Sequence, residues 1–512
     1  MGIIAKKTAK TDDAPAGKAG KAGTRTADNS PAPDPKAYSM ADLQGLKDLL
    51  SNKEPKERKR AAKAIYELSD VSHKKNRTII IKTEPEIIES LCECLLASSG
   101  DARHLALLSL NNLSIPSDNK KLIMNNEHSR ANIIDALVTI IKTDPAESYL
   151  ACIALMNLSF LESAVPIIAA NPDLLDTIQV LLKDGVKAKA GSGKSEGVRW
   201  SCGLLKNLSR SESAATRIAS TEIVSALVQC LRAPSGAARW SNNSTEDFAL
   251  FTLLNLSQHQ DVLNDLFRKN KVIQTLQPIA RSVVGVHSLK ATLTIGILKE
   301  STSSEIPPAA GSEVTELVGN ILAKKGKEKE YSAGVFKLST AVQALKGIAT
   351  KGDASSVATP RAGALMLQIM SSYVLASRES TITDLSPSDN ALGVFAAILP
   401  SLLEQKVSNV KEATPGTLKA VAEITSLVQA CQDLYSDSAS KFLAQDVIDS
   451  LKEASSLDRP MLIETKRIWS AQRERDGISD SFFSGEVGQE VDTDGPLSFL
   501  PCQFDNGSCT IM

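Results

Sequence analysis

Four copies of one short phrase constrain this chain more than anything else in it: LALLSLNNLS at 105–114, LACIALMNLS at 150–159, WSCGLLKNLS at 200–209 and FALFTLLNLS at 248–257. Their asparagines, Asn112, Asn157, Asn207 and Asn255, lie 45, 50 and 48 residues apart. A fainter copy, RAAKAIYELS at 60–69, puts Glu67 in the same slot 45 residues before the first. Self-similarity at such a period marks a stacked helical solenoid, because a unit of that size cannot bury its apolar face alone and must lean on the next.

Within the phrase, the position six before each asparagine is small: Ala106, Ala151, Ser201 or Ala249. Leucine stands two before (Leu110, Leu155, Leu205, Leu253) and one after (Leu113, Leu158, Leu208, Leu256), and Leu107, Cys152, Cys202 or Leu250 stands five before. These offsets fall on one stripe of a 3.6-residue helix, which is expected to pack inward. The small residue lets the neighbouring repeat's backbone come close. The asparagine and the residue four before it share the opposite face.

The phrase resembles the third helix of an armadillo repeat, and the stretches before it fit the rest of such a unit. NKKLIMNNEHSRANIIDALVTIIK at 119–142 fits a short first helix followed by a second, and IVSALVQCL at 223–231 and VIQTLQPIA at 272–280 fit further second helices. The resemblance covers residues 40–300 and implies an all-α fold, a right-handed armadillo-type α-solenoid (ARM/HEAT superhelix) whose third helices line a concave groove. It also implies a role for Asn112, Asn157, Asn207 and Asn255. In armadillo proteins such side chains hydrogen-bond the main chain of an extended peptide, since a carboxamide offers both a donor and an acceptor. Bracing of neighbouring helix ends is the other reading of the same four residues. Importin-α-like members carry tryptophan four residues before the clamp asparagine, but here that place holds Leu108, Ile153, Gly203 and Phe251. Slots for lysine side chains are therefore absent, Trp200 is expected in the core, and recognition of basic signals is disfavoured.

A 512-residue chain exceeds one ordinary core, a limit that stacking removes. With 58 Lys+Arg against 59 Asp+Glu, net charge gives no support to nucleic-acid or general membrane-surface binding. The eight cysteines show no disulfide or metal spacing; Cys152 and Cys202 take a core slot and read as buried thiols, and Cys92 and Cys94 stand too close for the usual four-ligand metal sites. No signal peptide and no membrane-spanning run is read, so a cytoplasmic chain is expected.

Residues 1–37, rich in Lys, Ala, Gly, Thr and Pro, are expected to form a disordered basic tail, followed by armadillo repeats over 38–300. Two insertions, 184–197 and 233–247, are expected as loops between second and third helices, and 301–312 as a linker. Helical spacing over 313–475 predicts further, diverged repeats, and 476–512 an acidic disordered tail.

That tail ends in Cys509-Thr510-Ile511-Met512, a C-a-a-X pattern whose methionine points to a farnesyl group on Cys509. One lipid chain binds membranes only marginally, so Cys502 is a candidate for a second, palmitoyl anchor and the basic N-terminal tail for electrostatic help. Lys6 stands where myristoylation of Gly2 would want Ser or Thr.

Catalysis finds no candidate. AGSGKS at 190–195 is similar to a phosphate-binding loop, but Ala188 replaces its first glycine and no strand precedes it. His73, His104, His128, His259 and His287 are scattered without a metal spacing or a nucleophile partner. No cofactor, metal or small-molecule substrate is expected. The expected function is a non-enzymatic scaffold or adaptor, a peripheral membrane protein held by its lipid, that binds a protein partner through an extended segment. The alternative is a regulator of small GTPases, an exchange factor or chaperone, working through 313–475.

Overall fold

The computed structural model of the chain describes residues 39–475 except 187, 189–191, 233–243, 283–284, 299–305, 324–335, 352–353, 379–384, 405–412 and 458. The expected tails 1–37 and 476–512, with Cys502 and Cys509, lie outside the described residues, as do 233–243 of the second insertion and 301–305 of the linker.

The repeat phrase becomes a helix at every copy. A leading pair, α1 (Leu43–Leu50) and α2 (Pro55–Ser69), precedes five three-helix units. These are α3 (Lys74–Thr83), α4 (Ile87–Ala97) and α5 (Asp101–Leu113); α6 (Ser117–Asn125), α7 (Glu127–Thr143) and α8 (Ser148–Leu158); and α9 (Ala164–Ala170), α10 (Leu174–Gly185) and α11 (Gly193–Leu208). Then come α12 (Glu212–Ala219), α13 (Ile223–Arg232) and α14 (Thr245–Ser257), and α15 (Gln260–Lys269), α16 (Val272–Ser282) and α17 (Val286–Ile297). Beyond them stand α18 (Ala310–Ala323), α19 (Leu338–Lys351), α20 (Pro360–Arg378), α21 (Ser386–Glu404), α22 (Pro415–Leu434), α23 (Ser438–Ala454) and α24 (Pro460–Arg475). No strand occurs among the described residues.

Local chemistry sets where several of these helices begin. Asn126 starts α7 by accepting the Ser129 N–H at 3.1 Å, and Ser244 starts α14 by accepting that of Asp247 at 3.1 Å. Third helices α5 and α17 follow Gly100 (φ 57°) and Gly285 (φ 90°), where the sharp entry needs a left-handed backbone that glycine adopts without strain.

Stacking follows helix type. Third helices form a row, α2 on α5, then α8, α11, α14 and α17, and second helices α4, α7, α10, α13 and α16 form another. The third-helix row runs on from α17 to α19 and from α19 to α21, while α24 packs on α20 and α22. The predicted leucine stripe faces inward throughout: Leu107, Leu110, Leu113, Leu155, Leu158, Leu205, Leu208, Leu253 and Leu256 are all buried. Burial also pushes the Cys152 thiol up to about 12, and the six described cysteines are all buried and free.

Three boundaries differ from the sequence expectation, one of them in the second insertion, expected as loop over 233–247, where the Ser244 cap opens α14 at Thr245. The first insertion, expected as loop over 184–197, is shorter, because Ser192 accepts the Ser195 N–H (3.3 Å) and opens α11 at Gly193. Likewise α18 begins at Ala310, inside the linker expected over 301–312.

Candidate functional site

Each third helix from α5 to α14 ends in or just before Asn-Leu-Ser, so its asparagine stands near the last turn. There the preceding third helix presents carbonyls that lack an intrahelical donor. The asparagines reach across to them. Asn157 Nδ2 donates to Asn111 O (3.4 Å) and Ser114 Oγ (3.2 Å); Asn207 Nδ2 donates to Met156 O (3.3 Å) and Ser159 Oγ (3.0 Å). Asn255 Nδ2 donates to Lys206 O (2.8 Å) and Ser209 Oγ (3.2 Å), and Asn112 Nδ2 lies 3.5 Å from Ser69 Oγ. Each serine in turn donates to the carbonyl that the next repeat's asparagine also uses: Ser114 to Asn111 O (2.9 Å), Ser159 to Met156 O (2.7 Å), Ser209 to Lys206 O (3.0 Å). Serine is thus as much a part of the ladder as asparagine. Its constancy in the repeated phrase is the sequence signal for it, and sequence reasoning left it without a role.

The ends of the ladder follow from the same geometry. Glu67 stands in the first slot, where no third helix precedes, and pairs with Lys63 (3.6 Å) on its own helix. Ile297, buried in α17, fills the slot after Asn255. There α14 and α17 are joined instead by a buried charge cluster, in which Lys290 Nζ bonds Asp247 Oδ1 and His287 Nε2 lies 2.9 Å from the same oxygen. Burial lowers the Lys290 pKa, and the Asp247 carboxylate opposes that shift.

The face shared by the asparagines and the residues four before them is not uniformly open. Asn112 and Leu108 are half-buried at one end. Asn157 and Asn207 are 6% and 2% exposed, and Ile153 beside them is buried. At Gly203 a Cβ would stand 2.9 Å from Met156 Sδ and 3.2 Å from Phe248 Cε2, so the face is closely packed there too. At the far end Phe251 stacks on Phe336 (6.1 Å, 6°), with Lys206 Nζ 5.0 Å and Lys290 Nζ 4.7 Å from its ring centre. The aromatic slot is occupied by the chain's own cations. Trp200, buried as expected, packs on Phe248 with the Arg199 guanidinium 4.7 Å from its ring centre.

The Oδ1 atoms of Asn112, Asn157, Asn207 and Asn255 accept no hydrogen bond from a described residue, and they are not among the enclosed polar atoms left unpartnered, as Asn111 Oδ1 and Asn119 Oδ1 are. The ladder thus holds four amide oxygens at one register, with their amide donors committed to the preceding repeat. Among the described residues no group of three His, Cys, Asp or Glu is placed to hold a metal ion.

A solved structure concerning the interaction of cadherin with β-catenin and the phosphorylation switch that controls it superposes with a TM-score of 0.54. It is 16% identical and covers 81% of this chain and 76% of its own. The fold is an armadillo-type α-solenoid. An engineered protein aligns with a TM-score of 0.48 at 17% identity, over 81% of this chain and 99% of its own. No protein-family model matches the sequence, and no curated protein does. At such identities the likeness to solved structures is one of architecture.

Proposed function

We propose that the chain is a non-enzymatic scaffold that binds a protein partner along its third-helix row, entering at the α5 end where Leu108 and Asn112 are accessible. The supporting observation is the row of carboxamide oxygens. Each Nδ2 is spent on the preceding repeat, so the side chain is held in one orientation and its Oδ1 is free to accept a main-chain N–H from an extended segment. Asn112 and Asn255, half-buried, are the contacts at the two ends; Asn157 and Asn207 add theirs only to a backbone that follows the row closely. A photo-crosslinker at Leu108, compared with one at the exposed Val180 on second helix α10, tests this in cells. Partner adducts from position 108 and none from 180 are expected. The reverse pattern would put the partner on the other face.

An isoprenoid on Cys509 would carry this scaffold to a membrane. Cys509→Ser is expected to move the protein from the membrane to the supernatant fraction, and unchanged fractionation removes the anchor from the proposal.

A further inference from the structure

A second surface lies along the first helices. The first helix α3 carries four Lys/Arg, of which Arg77 is buried, and no Asp/Glu, in a chain whose totals are 58 and 59. On α3, Lys74, Lys75 and Lys82 are exposed, as is Lys121 on α6, and none has an ion-pair partner among the described residues. Asp118 is the single carboxylate in the two helices.

The same helices show apolar side chains to solvent. Ile80-Ile81 and Ile123-Met124 are the buried pairs of α3 and α6, and the residue just before each pair, Ile79 and Leu122, is 47% and 44% exposed. The two helices pack together, held by Asn119 Nδ2 donating to Arg77 O at 2.9 Å, so Ile79 and Leu122 occupy matching positions on neighbouring elements. Lys75, Ile79 and Lys82 lie on one helical stripe, four and then three residues apart. In α9 the matching residue is the half-buried Ile167, and in α12 it is Arg217, where the row ends.

We infer that this edge, α3 with α6, docks on an anionic lipid bilayer. Aliphatic side chains flanked by unpaired lysines suit the headgroup boundary, where the chain ends enter the acyl region and the ammonium groups reach lipid phosphates. Single-stranded nucleic acid would want aromatic platforms for its bases, and neither helix has an aromatic residue. A purely electrostatic partner would leave Ile79 and Leu122 unexplained. The surface is separate from the third-helix row and needs no lipid on Cys509.

Full-length protein carrying no isoprenoid, sedimented with vesicles of phosphatidylcholine with or without phosphatidylserine, provides the test. Binding is expected only with phosphatidylserine and is expected to weaken as salt rises. Loss of about fivefold in affinity is expected per lysine neutralised in the Lys74→Gln, Lys75→Gln, Lys121→Gln series. A several-fold loss is expected for Ile79→Ser with Leu122→Ser, and none for Phe442→Ser, an exposed apolar residue on α23. Unchanged helical circular dichroism checks the fold of each variant. No binding to phosphatidylserine vesicles, equal loss with Phe442→Ser, or preference for single-stranded RNA over the vesicles overturns the inference. Because the protein is unmodified, failure here leaves the Cys509 anchor and the third-helix row to their own tests.

Discussion

At the scale of single residues, the ladder couples a capping role to the proposed binding surface, and this sets what substitution should do. Asn157→Ala and Asn207→Ala each remove a buried donor from a carbonyl and a serine hydroxyl of the preceding repeat, so each is expected to cost about 1–3 kcal/mol in urea denaturation. Glu67→Ala, in the same slot but exposed, should stay within about 0.5 kcal/mol. Loss of partner binding in the first two variants must therefore be read beside their stability, and Asn112→Ala, with one long contact at 3.5 Å, separates the roles best. Lys120 offers a pH handle. Its ammonium is buried, bonded to Ile115 O at 2.5 Å, and burial pushes its pKa down to about 8. Below pH 8 folded and unfolded forms both carry the proton and the desolvation cost stands in full. Between about 8 and the ordinary lysine value near 10.5 the folded form releases its proton first, so this group's contribution to stability rises with pH. Lys120→Met is expected to flatten that rise in denaturation curves taken across this window.

Between elements, the joint changes character along the row. From α2 to α14 it is made by asparagine and serine; between α14 and α17 it is the Asp247–Lys290 pair; between α17 and α19 it is backbone against backbone. Asp247→Asn leaves the Lys290 ammonium buried without its counter-charge and is expected to cost about 3 kcal/mol or more by thermal denaturation, most of it recovered when Lys290→Met is added. At the next joint a Cβ on Gly347 would fall 1.7 Å from Gly296 O, so Gly347→Ala has to push α19 away from α17 and should lower the melting temperature markedly. Gly45, in α1, supplies the contrast, since a Cβ there would meet nothing within 4 Å. Gly45→Ala should stabilise by about 0.5–1 kcal/mol through helix propensity alone.

For the whole molecule, contacts run mainly between neighbouring units, so damage should stay local. Asn207→Ala is expected to speed hydrogen exchange in α8, α11 and α14 and to leave α22–α24 unchanged; a uniform increase along the chain would mean one cooperative block instead. Much of this architecture was legible in the residues themselves. A leucine stripe recurring with each asparagine has only one way to be buried, so helix identity, repeat period and the inward face of α5, α8, α11 and α14 follow from the one-dimensional pattern. Helix entries were less legible, since the cap at Ser192 outweighed the loop-like composition of 184–197. Which atoms the asparagines touch, the closing of the face by Ile153 at its centre and by Phe336 at its far end, and the meeting of Ile79 with Leu122 depend on distances between residues tens of positions apart. Periodicity says which face of a helix turns inward. Only the packing of one repeat against the next decides what that face meets, because curvature and crossing angle are set by the summed fit of many side chains and not by any one of them.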